Sequence, residues 1–459
     1  MTEGTSYGQR SEVSDMALIR PFNITHYDTS LNGVLNKLIT PPYDVISSEE
    51  QELFYMSHPL NIIRLVLGKE YSSDSETDNR YTRAAETLRQ WLRQGVLICD
   101  KKPGVAVYQM SFQLPDGGIQ TIDGIVALVK VDDYGRGKVL PHEKTYKGPK
   151  EDQLKLLRAC RSNFTPIHGL FEDDSNVIST GYADLLETYP LQETEDAQGS
   201  MHRIWIIHDE LLISRMTDFM KDKSIFIADG HHRYETARSY KEELECSKSR
   251  TADDSREFVM MYLTAMNHPG LTILPAHRMI RGLDPFDLTE ILEKLSQSFE
   301  IENVCYWNGN KGESVRVMLE RLEAGATTGG QFGFVVHGDE CLRLLRLKDF
   351  SILDHLIGQS IPKSVRTLDV TILGELVLSR ALGIDKMSGE SYVEYTPLAQ
   401  DALKRVFEGQ VQASFILNPT RVDQMQAAAE LGHKLPHKST YFYPKLSSGL
   451  ILNVFDGLQ

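Results

Sequence analysis

The chain has 459 residues, 41% of them hydrophobic and 25% charged, and a formal net charge of -15 at pH 7. That length exceeds one ordinary core, so two or three domains are expected in a globular protein of this composition. The excess of 64 acidic over 49 basic residues argues against broad nucleic-acid binding, while local basic clusters can still take anionic substrates. No stretch approaches the ~20 apolar residues of a membrane span. Residues 1–15 are polar and lack the layout of a signal peptide, so a disordered tail over 1–16 and a cytoplasmic protein with no membrane partner are expected. Cys99, Cys160, Cys246, Cys305 and Cys341 are scattered and never spaced as C-x-x-C, which predicts mostly separate reduced thiols.

Pro41 and Pro42 exclude helix over 39–46 and force an extended segment or turn. Ser47, followed by Glu49 and Glu50, reads as a helix cap with acids in the first turn, and His58-Pro59 ends that helix. The apolar run 61–68 reads as a strand and 71–79 as a polar loop. Residues 83–94 predict an amphipathic helix with Ala84, Leu88, Trp91 and Leu92 on one face and Gly95 as its stop, which makes Trp91 a core residue. Alternation of Ala106, Tyr108, Met110, Phe112 and Leu114 predicts a half-buried strand, returning through a turn to a partner at 119–131. A helix over 151–161, a strand over 203–208 and a helix over 210–221 lead to a strand at 224–229. The helix that follows continues through 236–245, then come a charged loop and an apolar run, 258–265, that predicts a central strand. Residues 274–278 read as the close of this part.

After Gly282 the texture changes. Helices are expected at 288–299 and 315–324, a hairpin at 330–347, a helix at 368–382 and a strand at 413–417. Asn418-Pro419-Thr420 opens a helix over 421–431, with the proline at an early helical position. The expected fold class is α+β, mixed sheets with packed helices, in two regions, 17–282 and 283–459.

Two stretches carry chemistry. In the first, the strand ending at Asp229 meets Gly230, His231, His232 and Arg233 and then a helical pattern. Backbone N–H groups at a helix start favour anions, and an acid beside them can hold a metal. Gly230 suits a turn with unusual backbone angles, and Arg233 has the fork geometry for phosphate. The plainer alternative is that Asp229 caps the helix and Arg233 makes an ordinary salt bridge. Zinc is disfavoured, because adjacent histidines diverge by ~100° on a helix and no second histidine pair completes a set. In the second stretch, Glu143 follows His142 and stands among Lys144, Thr145, Lys147 and Lys150. A carboxylate there can act as general base or meet a metal, while lysines offset phosphate charge. Its glycines and prolines suit a lid, and the plainer alternative is a solvated loop. The sequence has no P-loop, no complete dinucleotide fingerprint and no G-x-S-x-G.

Residues 41–46, 61–65, 142–145, 229–237, 274–278 and 435–445 together resemble the domain of unknown function 1015 family, over nearly the whole chain from Ala17. The Asp229–Arg233 turn followed by Ala237 is also similar to the signature of free serine kinases with a ParB-like fold. That resemblance implies a ParB-like nucleotide-binding core and phosphorylation of free L-serine with Mg2+ and ATP. It implies Glu143 as base and Asp229 as magnesium or substrate contact, with His231 and His232 beside it in the catalytic set. Gly230, Arg233, Lys144, Thr145 and Lys150 would then bind nucleotide and phosphate. ParB partition proteins carry G-E-R-R at this turn, which this acidic chain lacks. The expected partners are a small-molecule substrate and a nucleotide, without nucleic acid, and homo-oligomers are compatible with that. Two alternatives stand beside the kinase: a ParB-like nucleotide hydrolase or nucleotide-gated switch, and a non-catalytic module that binds a phosphorylated ligand.

Overall fold

Ser47 and Glu50 each hold the other's backbone N–H, closing a capping box at the head of the helix Ser48–Ser57. Local signals of this kind set many elements of the chain. The computed structural model describes residues 17–115, 117–132, 137–143, 147–246, 254–305, 311–358, 360–384, 389–436 and 438–455. They fall into two compact units, one made of the described residues within 17–141, 147–271 and 444–455, the other of those within 142–143 and 272–443.

The first unit is built on a nine-stranded mixed sheet. Its strands are β1 (Ile19–Arg20), β2 (Val105–Gln113), β3 (Ile119–Lys130), β4 (Val139–Leu140), β5 (Ile167–Phe171), β6 (Gln192–Glu195), β7 (Met201–Ile207), β8 (Ile225–Asp229) and β9 (Phe258–Ala265). The spatial order is β4-β8-β5-β9-β3-β2-β7-β6, with β1 also beside β3. β8 runs parallel to β4, and β9 runs parallel to β5, while the other pairs are antiparallel.

One core cluster takes Val105, Val107, Ile125, Ala127, Ile167, Ile225, Ile227, Met261 and Leu263 from these strands. It also takes Ile178 and Tyr182 from the helix Val177–Leu186, and Ile213, Met216 and Met220 from the helix Glu210–Met220. On the alternate positions Tyr108, Met110, Phe112, Val126 and Phe226 are buried too. The strand expected to be half-buried is therefore covered on both faces over most of its length. Trp91 is a core residue, 3% exposed, on the helix Arg80–Arg93 that Asn79 caps through its side chain.

The strand expected over 61–68 is instead one helical turn, Ile63–Val66. Asn61 Oδ1 accepts the N–H of Ile63 at 2.8 Å, and its Nδ2 donates to the Lys37 carbonyl at 2.7 Å. An apolar run buried all round looks the same in strand or helix, so polar anchoring decides it.

The last segment of the chain returns into this first unit. The main chain of Thr25 and Leu452 exchanges hydrogen bonds in both directions, Ser448 N–H donates to Thr40 at 2.8 Å, and Asn453–Val454 pairs with Ser162–Asn163. Leu446, Leu450, Ile451, Leu452 and Phe455 are buried there.

The second unit carries a six-stranded antiparallel sheet. Its strands are β10 (His277–Ile280), β11 (Phe299–Cys305), β12 (Gln331–Val336), β13 (Cys341–Leu347), β14 (Val393–Thr396) and β15 (Ala413–Ile416), in the order β11-β13-β12-β15-β10-β14. Met279, Val335, Leu342 and Leu344 of the sheet pack with Met318 and Leu322 of the helix Lys311–Ala324 and with Leu403 and Val406 of the helix Ala399–Phe407. Cys305 and Cys341 stand opposite each other in the β11–β13 register and are joined by a disulfide. The expectation of mostly separate thiols did not foresee this pair, because strand register and not spacing brings residues 36 positions apart face to face. The helix expected over 368–382 starts as α over Asp369–Ile372 and continues as a π-helix over Leu373–Ala381. Pro419 lies ahead of the helix Val422–Glu430, whose cap is Arg421, and not within its first turn.

The returning C-terminal segment generates a prediction. Full burial is worth about 1.5–3 kcal/mol for each large apolar side chain. Deleting residues 444–459 therefore removes about 7.5–15 kcal/mol over the five side chains, as much as the ~5–15 kcal/mol by which a domain is stable. Circular dichroism with urea titration should show no cooperative transition for the first unit in the shortened chain.

Candidate functional site

The site grows from the end of β8. Residues 225–228 are apolar and buried, which anchors the strand between β4 and β5. A register irregularity between Ile227 and Asp229 sets Asp229 opposite His168 of β5. Gly230 then turns the chain with φ of 91°, and the Tyr234 N–H donates to its carbonyl at 3.0 Å as the helix His231–Cys246 begins. A side chain at position 230 would be strained by that angle, and its Cβ would stand 3.0 Å from the Arg233 guanidinium. Glycine thus serves twice: it makes the turn, and it leaves the space into which Arg233 folds back.

Arg233 uses its fork inside the unit. Nη2 donates to Asp229 Oδ2 at 2.7 Å, and Nη1 donates to the carbonyl of Pro166 at 2.5 Å and of Thr165 at 3.4 Å. Lys445, delivered by the C-terminal segment, donates to the other carboxylate oxygen, Oδ1. One carboxylate is thus held between two cations, all largely buried. Burial alone would raise the Asp229 pKa, but Lys445 and Arg233 outweigh it and hold the carboxyl well below its usual range. His168 is driven down to about 3 by burial, against the pull of Asp229, and is neutral near pH 7. Two cationic side chains thus meet one carboxylate at a helix start, where backbone N–H groups suit an anion.

Tyr43 belongs to the same neighbourhood. Its phenol is pushed up by burial first, with Asp44, Asp152 and Asp229 adding to the rise and Arg233 opposing it. Tyr43, Thr165, Arg233 and Thr236 help line a cavity of about 50 Å³, room for a few waters. Of the helix residues, His231 is buried and His232 half-buried. Lys150 Nζ stands 3.8 Å from Glu235 Oε2, which Arg238 also approaches at 3.1 Å. Lys150 therefore meets the flank of this helix at Glu235.

Metal does not fit Asp229. Each of its oxygens already receives a cationic donor, and a metal ion would sit against both Lys445 and Arg233. Among the described residues no group of three or more His, Cys, Asp or Glu could hold a metal ion.

Glu143 lies in the second unit. It bridges to Leu435 in parallel fashion, and its Oε1 accepts the N–H of Lys438 at 3.2 Å. Beside it, His142 is buried, with Nε2 3.1 Å from Thr440 Oγ1. Lys144 and Thr145 lie outside the described residues. The site reading from sequence left out Lys445 and His168. Lys445 ends the 435–445 stretch noted for its resemblance, whereas His168 carries no sequence signal, being one residue in an apolar strand.

The sign of the acid dependence follows from the depressed Asp229 carboxyl. Its contribution to stability is complete above the ordinary unfolded value near ~4 and is lost as pH falls through the lower folded value. The stability gap between the native chain and Asp229→Asn, measured by urea titration, should be widest above about pH 4 and shrink steadily on acidification. Gly230→Ala should cost more than ~1 kcal/mol, from the positive φ and from displacement of Arg233.

The comparisons with known proteins come to three kinds of finding. No curated protein matches the chain. Among solved structures, a free serine kinase in complex with AMP is 14% identical, covering 69% of this chain and 88% of that one, with a TM-score of 0.35. A conserved hypothetical protein from Pyrococcus furiosus is also 14% identical, covering 67% and 90%, with a TM-score of 0.32. SbnI from Staphylococcus aureus, with a C-terminal truncation, is 13% identical, covering 72% and 83%, with a TM-score of 0.31. The family model described as Protein of unknown function (DUF1015) matches residues 19–371, and the chain belongs to that family.

Proposed function

We propose that the Asp229 turn binds the phosphates of a nucleotide and that the protein is a phosphotransferase on a small hydroxylated metabolite, with ATP as donor and free L-serine as first acceptor. The observation that carries this is the Lys445–Asp229–Arg233 cluster at a helix start, whose cationic side chains and turn backbone suit a phosphate group. The D-G-H-H-R sequence of the turn and its ParB-like resemblance support the same reading. The adjoining cavity of about 50 Å³ is too small for a nucleoside, so only the phosphate end belongs at this corner. Phosphoryl transfer asks a protein mainly for positioning and charge stabilisation. Lys445 and Arg233 supply charge, Gly230 and Asp229 position them, and the proton-accepting part falls to Glu143 in this reading. Asp229 acts by holding the two cations in place.

One observation favours a second reading, a non-catalytic module for a phosphorylated ligand. The Glu143 carboxylate accepts a main-chain N–H from Lys438, which is what a purely structural acid does.

Incubation with ATP and magnesium chloride over a panel of hydroxylated metabolites, followed by mass spectrometry, separates these. O-phospho-L-serine is expected, with one ADP for each product. Glu143→Gln should cut turnover by about 100-fold or more while nucleotide still binds. Lys445→Ala should weaken nucleotide affinity by about tenfold. Nucleotide loss without any acceptor would make the protein a hydrolase or nucleotide-gated switch. Binding without turnover, unchanged in Glu143→Gln, would leave the module.

A further inference from the structure

A second cavity lies in the first unit, at the other end of its central strands. β5 and β9 run parallel, and their early residues Ile167 and Val259 line the small cavity beside Arg233. Their late residues Phe171, Leu263 and Ala265 line a larger one of about 430 Å³, within the range of small-molecule pockets. The strand between is roughly 13 Å long, so the two cavities are separate.

Polar groups in the larger cavity converge on Asp123 of β3. Tyr182 Oη donates to its Oδ1 at 2.5 Å, and His268 Nε2 stands 3.4 Å from its Oδ2. The Gly270 N–H donates to His268 Nδ1 at 3.0 Å. Nδ1 is thus an acceptor, which puts the ring proton on Nε2, facing Asp123. Asp123 is thus met by the Tyr182 hydroxyl and the Nε2 face of His268, and Gln109 adds a further side-chain bond.

Burial would raise the Asp123 carboxyl, but the bonds from His268 and Tyr182 bring it below its usual value, so it is ionised near pH 7. The other lining carboxylate, Asp173, is 1% exposed and is spent on the backbone, accepting the N–H groups of Val177 at 2.8 Å and Ile178 at 3.0 Å. Among the described residues that line the cavity, none is lysine or arginine. A largely buried carboxylate facing a cavity whose described lining holds no lysine or arginine is stabilised by a cation brought from outside. Leu186 and Ala265, both half-buried, give the cavity an apolar side.

We infer that this cavity binds a small organic cation, an aliphatic primary amine or guanidinium compound, with its charged head on Asp123 and its methylene chain along Leu186 and Ala265. The site is independent of phosphate binding at the Asp229 turn.

Isothermal titration of the full chain with 1,4-diaminobutane and with agmatine tests it, with 1,4-butanediol as the uncharged control. Saturable binding of at least one cation is expected, and none of the diol. Asp123→Asn should weaken that binding by about tenfold or more. Ala183→Leu, on an exposed helix position lining the same cavity, should weaken it without touching Asp123, and it decides the matter if circular dichroism shows Asp123→Asn unfolded. Lys445→Ala should leave it unchanged. Equal affinity for diol and diamine, no saturable cation binding, or affinity unmoved by Ala183→Leu would overturn the proposal.

Discussion

One carboxylate, Asp229, ties together three stretches of the first unit that are remote in sequence. Its Oδ2 meets Arg233, whose other nitrogen reaches the carbonyls of Thr165 and Pro166. Its Oδ1 meets Lys445 from the end of the chain. Removing one member of such a buried set leaves the others uncompensated, at a cost of roughly 3–5 kcal/mol. The corner's shape and its charge therefore have the same origin. What keeps Asp229 ionised also fixes two cations at the head of a helix.

The neighbouring groups keep this arrangement in a single protonation state. His168 is too buried to take a proton near neutral pH, so it adds no charge beside Lys445. Gly230 allows the guanidinium to lie over the turn, where any side chain would meet it. The first unit repeats this logic with opposite sign at the other end of β5 and β9. There, Asp123 accepts from Tyr182 and faces His268, and no lysine or arginine stands among the described residues that line its cavity. A cationic corner and an anionic cavity thus occupy opposite ends of one pair of parallel strands.

Much of the local structure was legible in the residues. Ser47 and Glu50 marked a helix start, and Gly95 with the Ala84, Leu88 and Trp91 face marked the helix Arg80–Arg93. The apolar runs at 225–228 and 258–265 marked central strands. These signals depend only on neighbours a few positions away, so they survive without a structure. The run from Asn61 to Gly68 did not, because a fully buried apolar segment shows no periodicity to read. Cys305 and Cys341 were likewise silent, since a disulfide depends on strand register rather than on spacing.

The sequence by itself determined the turn: a buried strand, Asp229, a glycine that accepts a positive φ, and an arginine four residues on, which the helix returns to the acid. That is local stereochemistry, and it is written in consecutive residues. Tertiary structure alone decided what the turn became. It brought Lys445 back from the far end of the chain, set His168 opposite Asp229 through an irregular strand pairing, and gathered Asp123, Tyr182 and His268 around one cavity. Those contacts join residues dozens to hundreds of positions apart, and only packing of the sheet and closure of the chain can specify them.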